Sequence, residues 1–270
     1  MVNRIDRTFN TLRKKKQKAL IPYVSCGYPT LEFTEQLVPL LADSGADLIE
    51  LGVPYSDPVA DGPVIQKAST LALAGGVTLE KIFLLAGHIR EKTEVPLIMM
   101  TYYNPIYVTG VINFIKKAAS VGIDGLIIPD LPLEEAGYLK EVADSNGMNL
   151  IFLVAPTSTP GRIKNIADLS RGYIYCVSVT GVTGSRQIIP EGLESLLNRV
   201  RLQTQLPLAV GFGVSGPAMA REMAKHADGV IVGSALIEII EESLQKAHGD
   251  NRYALESALS FIRSLREAIN

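Results

Sequence analysis

Eight short runs of apolar, strand-forming residues recur along the 270-residue chain, at 19–24, 48–52, 96–102, 125–128, 149–154, 173–178, 208–212 and 229–233. They are apolar throughout rather than alternating, which is the pattern of parallel strands covered by helices on both faces. The intervals carry helical spacing, most clearly at 34–42, 111–119 and 133–140. Several of these helices run into small-residue tags just before the next run, where glycine stops a helix: Ser44-Gly45-Ala46-Asp47, Val121-Gly122-Ile123-Asp124 and Ser145-Asn146-Gly147. Eight strand–helix units in about 250 residues predict an α/β fold of the closed (β/α)8 TIM-barrel kind. The expectation is a single domain over 1–270 with a short leading N-terminal helix, and with the amphipathic stretch 251–269 closing the outer ring. An open doubly wound sheet is the alternative, but no GxGxxG follows the first run.

Such barrels place reactive groups at the C-terminal ends of strands and in the loops that follow. The second run ends in ELGVPYSDPVADGP, 50–63. Glu50 stands where Val or Leu would pack better, and Asp57 and Asp61 follow closely. A buried carboxylate without a partner is costly and shifts its pKa upward. Either a basic residue from another strand neutralises Glu50, or a carboxyl of raised pKa moves protons near neutral pH. Few basic residues stand at strand ends. Asp61 is expected to be the second, more exposed and more acidic carboxylate of an acid/base pair, with Asp57 shaping the loop or facing a partner.

Glycine-rich loops follow the last three runs, at 179–186, 211–215 and 233–235. Glycines let backbone N–H groups approach an anion, and a helix N-terminus adds a favourable dipole. Taken singly these glycines make tight turns; taken together they point to a phosphate, with Ser234 capping a short helix from Ala235 onward. Tyr23, Met100, Ile127, Tyr175 and Phe212 stand at strand ends, where they either line a pocket for a flat ring or fill the barrel core.

Composition narrows the rest. The chain is 47% hydrophobic and 20% charged with a formal net charge of −2, which suits a large buried core and does not suit nucleic acid. The basic cluster at 13–18 reads as the solvated face of the leading helix. Cys26 and Cys176 are expected to be free, packed thiols in a reducing cytoplasm, with no secretory leader. No apolar run approaches the roughly 18 residues of a membrane span. His88, His226 and His248 lie away from every strand end without metal-ligand spacing, so no metal is expected.

ELGVPYSDPVADGPVIQ, with VTGVTG at 179–184, GFGVS at 211–215, GSAL at 233–236, Ile21-Pro22-Tyr23 and Tyr102-Tyr103-Asn104-Pro105, resembles the α subunits of tryptophan synthase. The resemblance covers essentially the whole chain. It implies a carbon–carbon lyase that cleaves indole-3-glycerol phosphate to indole and glyceraldehyde 3-phosphate by a retro-aldol reaction. By the same resemblance Glu50 is the general acid/base and Asp61 stabilises positive charge on the ring nitrogen. Gly184, Gly213, Gly233 and Ser234 hold the phosphate, with Phe212 and Tyr175 beside the ligand.

The loops after the second and sixth runs resemble the family's mobile lids, the latter carrying Thr183. The resemblance further implies no cofactor on this chain. A β subunit using pyridoxal phosphate would be the partner in an α-β-β-α complex, met near Pro54, Asp57 and Pro58. Tyr23 stands where the family commonly has phenylalanine, and Pro129 where a small residue is frequent; both bear on pocket shape. The competing readings are a stand-alone indole-releasing lyase, another phosphate-binding barrel such as an isomerase, and a non-catalytic regulatory subunit.

Overall fold

A computed structural model of the chain describes residues 2–177, 192–211 and 213–270. Its strands are β1 (Ala19–Ser25), β2 (Ile49–Gly52), β3 (Leu97–Met100), β4 (Gly125–Ile127), β5 (Asn149–Ile151), β6 (Leu153–Val154), β7 (Ile174–Val177), β8 (Leu208–Gly211) and β9 (Gly229–Val232). All pair in parallel, in the order β5-β4-β3-β2-β1-β9-β8-β7-β6. The eight runs become nine strands because the fifth breaks at Phe152. Its first half pairs with β4 and its second with β7, while the Phe152 carbonyl accepts from the Tyr175 N–H. One continuous segment thus closes the ring, bending where it changes partner.

The described helices are α1 (Arg4–Lys15), α2 (Leu31–Asp43), α3 (Pro63–Ala74), α4 (Leu79–Lys92), α5 (Tyr103–Thr109), α6 (Val111–Ser120), α7 (Gly137–Ser145), α8 (Pro160–Leu169), α9 (Leu193–Arg201), α10 (Pro217–His226), α11 (Ser234–Lys246) and α12 (Asn251–Ile269). The expected helix over 133–140 is instead a 3-10 turn, Leu133–Glu135, followed by α7. Gly137 is a poor helix former, and the chain restarts its helix there. Two helices rather than one separate β2 from β3, and likewise β3 from β4.

Helix α1 covers the N-terminal mouth of the barrel. Its buried Ile5, Phe9 and Leu12 join a cluster with the inward-facing Leu48, Ile98, Ile127, Ile151 and Tyr173. The basic residues of its last turn face solvent, where they complement the helix dipole. With one mouth covered, the opposite end is the one left for a ligand. Cys26 and Cys176 are free and buried. Among the described residues no single helix is long and apolar enough to cross a membrane.

The N-terminal mouth is held by a repeated device. Asp47, Asp124 and Asp228 each stand just before a strand, and each grips a leucine at or near the start of the preceding strand. The aspartate N–H donates to that leucine's carbonyl (Leu20, Leu97, Leu208), and its carboxylate accepts the same leucine's N–H at 2.8, 2.9 and 2.8 Å. Arginine neutralises each: Arg266 on Asp47, Arg90 and Arg4 on Asp124, Arg201 on Asp228. The carboxylate fills a backbone vacancy that a strand start would otherwise leave open. At the fourth equivalent place Arg171 donates its N–H to Leu150 but brings no carboxylate.

Because the side chains of Asp124 and Arg90 are only 6% and 12% exposed, removing one partner strands the other. Asp124→Ala is expected to cost about 3–5 kcal/mol in urea unfolding. Asp228→Ala, whose side chain is 31% exposed, is expected to cost clearly less. Equal losses would show that burial does not set the worth of these pairs.

Candidate functional site

Glu50 lies inside the barrel, 1% exposed, in register with Tyr23 on β1 and Ile98 on β3. It stands three residues after Asp47. The residues three after Asp124 and Asp228 are Ile127 and Ile231, so Glu50 takes a place that isoleucine fills in the sister repeats. The Tyr173 hydroxyl donates to its Oε1 at 2.7 Å. Tyr173 precedes β7, four strands round the ring from β2, so this bond crosses the barrel. Its ring rests on Phe9 of α1 with centroids 5.6 Å apart. Burial pushes the Glu50 carboxyl from the ordinary 4.5 up to about 8, and the Tyr173 bond, which favours the ionised form, opposes that rise. No cationic partner is among the causes, which removes the neutralised-glutamate alternative for the described residues.

Asp61 is less exposed than its loop position suggests, at 7%. Burial pushes its carboxyl from 3.8 up to about 6, with the Tyr102 hydroxyl pulling it back. That same hydroxyl accepts the Ala60 N–H at 3.0 Å, and the Tyr102 ring stacks on Tyr55 at 5.0 Å and 24°. Gln66 donates to the Asp61 carbonyl, and the Asp61 N–H to Pro58, so loop and carboxylate are tied as one piece. Asp57 is exposed and accepts from Ser56, Pro58 is half-buried and Pro54 is buried. The surface this loop offers outward is therefore Asp57, Pro58 and Val59, the last 82% exposed, rather than Pro54.

One cavity collects most of the residues singled out by sequence: Tyr23, Glu50, Asp61, Met100, Tyr175, Gly213, Gly233 and Ser234 line it together. Ile127 is not among the residues that line it; it packs in the inner-barrel cluster with Leu48, Ile98 and Ile151. Gly184, Thr183 and Phe212 lie outside the described residues. Two of the cavity's walls are tyrosine rings laid over glycines of the next strand. A Cβ on Gly52 would fall onto the Tyr23 hydroxyl and ring, and one on Gly211 onto those of Tyr175. In both cases the glycine lies two residues beyond the tyrosine's register partner. At the other end, α11 starts at Ser234 with Gly233 in the cap position and no side-chain cap. Ser234 is thus the first helical residue of a 13-residue helix, not the cap of a short one, and the N-terminus stays open toward the cavity.

Tyr173, Tyr55 and Glu238 carry no sequence prediction, and Tyr102 entered without a role. Tyr173-x-Tyr175 at strand spacing was the legible signal for the first, since both then face inward. The others depend on which loops and helices meet. Among the described residues no group of three or more His, Cys, Asp or Glu is placed to hold a metal.

The family model for the tryptophan synthase alpha chain matches residues 9–270. The tryptophan synthase alpha chain of Geotalea daltonii is 51% identical over 241 residues, 89% of this chain and 91% of that protein. That of Caldanaerobacter subterraneus subsp. tengcongensis is 46% identical over 269 residues, 99% of this chain and 100% of that one. Among solved structures, tryptophan synthase subunit alpha of Legionella pneumophila superimposes with a TM-score of 0.91 at 39% identity, covering 100% and 99% of the two chains.

Raised carboxyl pKa values carry a stability signature. Between the unfolded value of Glu50 and its folded value of about 8, the native state holds more protons than the unfolded one, so stability falls as pH rises through that window. Glu50→Gln removes this dependence. In paired melts at pH 5 and pH 9, the variant is expected to gain on the parent at the higher pH. A constant difference would mean that Glu50 is not buried as described.

Proposed function

The chain belongs to the tryptophan synthase alpha chain family, and from that premise we propose how its own residues carry the family's reaction, the cleavage of indole-3-glycerol phosphate in tryptophan biosynthesis. The observation that supports the reading is a pair of carboxyls in one cavity, held at about 8 and about 6 by different degrees of burial. At neutral pH the first is largely protonated and the second largely ionised.

Glu50 then gives its proton to ring carbon C3 of the indole, and Asp61 stabilises the positive charge that appears on the ring nitrogen. Glu50, now a carboxylate, takes the proton of the hydroxyl on the carbon attached to C3. The carbon–carbon bond breaks, its electron pair returns to the ring, and an aldehyde forms on the glycerol phosphate. The glutamate ends as it began. Tyr173 positions Glu50 and Tyr102 positions Asp61. Tyr23, Met100 and Tyr175 enclose the ring, and the open end of α11 with Gly213, Gly233 and Ser234 receives the phosphate. Gly184 and Phe212 complete the ligand contacts, and Thr183 acts in loop closure.

The 270 residues act as one barrel domain, since β1 and β9 from opposite ends of the chain pair directly. The chain works in the cytoplasm without a cofactor of its own, and pyridoxal phosphate belongs to a β subunit in an α-β-β-α complex. Its docking surface takes in Asp57, Pro58 and Val59, with the exposed Tyr107 and Val108 of α5. The Tyr55–Tyr102 stack joins this loop to the residue that precedes α5.

Indole release from indole-3-glycerol phosphate by the purified chain is expected to be slow alone and to rise severalfold with a tryptophan synthase β subunit; no release in either condition overturns the reading. Fast release that ignores the partner would instead make it a stand-alone lyase. Glu50→Gln is expected to lower turnover by about 10³-fold while the partner still binds.

The pH profile of kcat/KM is expected to be a bell with limbs near the two carboxyl values, about 6 and about 8. Tyr173→Phe removes a bond that favours ionised Glu50, so the alkaline limb should move up. Tyr102→Phe should move the acid limb up by the same logic on Asp61. Limbs that stay in place would show that neither tyrosine acts through its carboxyl.

A further inference from the structure

A third carboxylate lines the cavity and has no part in the reaction above. Glu238 stands on α11 one turn beyond Ser234, on the same side of the helix, half-buried, facing the segment that includes Ala60, Asp61, Gly62 and Ile65. Among the described residues its carboxylate has no hydrogen bond or ion pair. The nearby cation, Lys67 of α3, is bound to Glu241 instead. No Lys, Arg or His is among the described residues that line the cavity.

We propose that Glu238 is a specificity-determining residue of the phosphate end, its negative charge opposing the α11 dipole and holding down the affinity for dianionic ligands. The inference rests on the reading of the α11 N-terminus as a phosphate site. A helix N-terminus attracts an anion through its open N–H groups, and a carboxylate about 6 Å further along the axis subtracts from that attraction in a partly desolvated space. The effect favours release of a phosphorylated product and leaves an uncharged ring untouched. It grows with pH, because the second ionisation of a phosphate ester, near 6, adds to the ligand the charge that Glu238 repels.

The titrating and charged groups around Glu238 are Glu241 and Glu242 on its own helix, Lys67 across on α3, Asp61 in the loop and Glu50 on β2. Burial and the two neighbouring glutamates raise its pKa above the ordinary glutamate value. All the other groups are present in parent and variant alike, so a comparison between the two isolates Glu238.

The test uses the full chain, with inorganic phosphate and indole as separate probes in calorimetry and indole-3-glycerol phosphate in turnover. Glu238→Gln is expected to tighten phosphate binding and lower KM by about threefold to tenfold, more at pH 8.5 than at pH 6, with indole affinity unmoved. Glu238→Asp, which keeps the charge, should stay close to the parent. Unchanged or weaker phosphate binding in Glu238→Gln, or an equal change in indole binding, overturns the proposal. A parent that binds phosphate yet releases no indole would overturn the reaction assignment and leave this test standing.

Discussion

A single hydrogen bond across the barrel, from the Tyr173 hydroxyl to Glu50, lets a carboxyl group occupy a layer that packing would give to a hydrocarbon. Without a donor there, an isolated carboxyl surrounded by apolar side chains would leave its oxygens unsatisfied. A cationic donor would keep the group ionised and useless as an acid. A phenol, itself held neutral by burial, satisfies the oxygen yet leaves the pKa high. The tyrosine in turn depends on α1, whose Phe9 supports its ring from the covered mouth of the barrel. The leading helix is therefore a part of the site's foundation and not a decoration of the fold.

Repetition and its interruption organise the rest. Three aspartates grip the preceding strands with the same pair of backbone bonds, and three residues beyond each the chain carries a side chain that is buried inside the barrel. Two of those places hold isoleucine and the third holds Glu50. Chemistry enters a repeated frame by substitution at one inward place. The fourth unit, which lacks the aspartate, supplies the tyrosine that answers Glu50. The stabilising carboxylates thus sit at one mouth with arginine, and the reactive ones sit toward the other with phenols.

The loop after β2 unites two properties that pull in different directions. It reaches far enough outward to present Val59 to solvent, yet it buries Asp61 a few residues later. Tyr102 reconciles these by holding both the Ala60 N–H and the aspartate through one hydroxyl, with Tyr55 stacked behind. The outer part of the loop and the carboxylate are thus joined through one tyrosine hydroxyl and one ring stack.

Much of this was legible in the chain itself. Uniformly apolar runs separated by helical spacing determine a helix-covered parallel sheet, since such strands have no face to give to water, and eight of them determine a closed barrel. Glu50 was visible as an anomaly because its neighbours are all apolar, and the glycine loops were visible because glycine has few other uses at a strand end. What only tertiary structure decided were the relations between segments distant in sequence. Tyr173 meets Glu50 because ring closure sets them on opposite walls. Asp61 is buried where Tyr102 holds its loop, and Ile127 packs in the inner-barrel cluster rather than against the cavity. The fifth run breaks because its two halves face different neighbours. Local pattern reports which groups a residue prefers to avoid; only the closed barrel determines which groups it meets, because pairing across the ring joins residues that no local spacing relates.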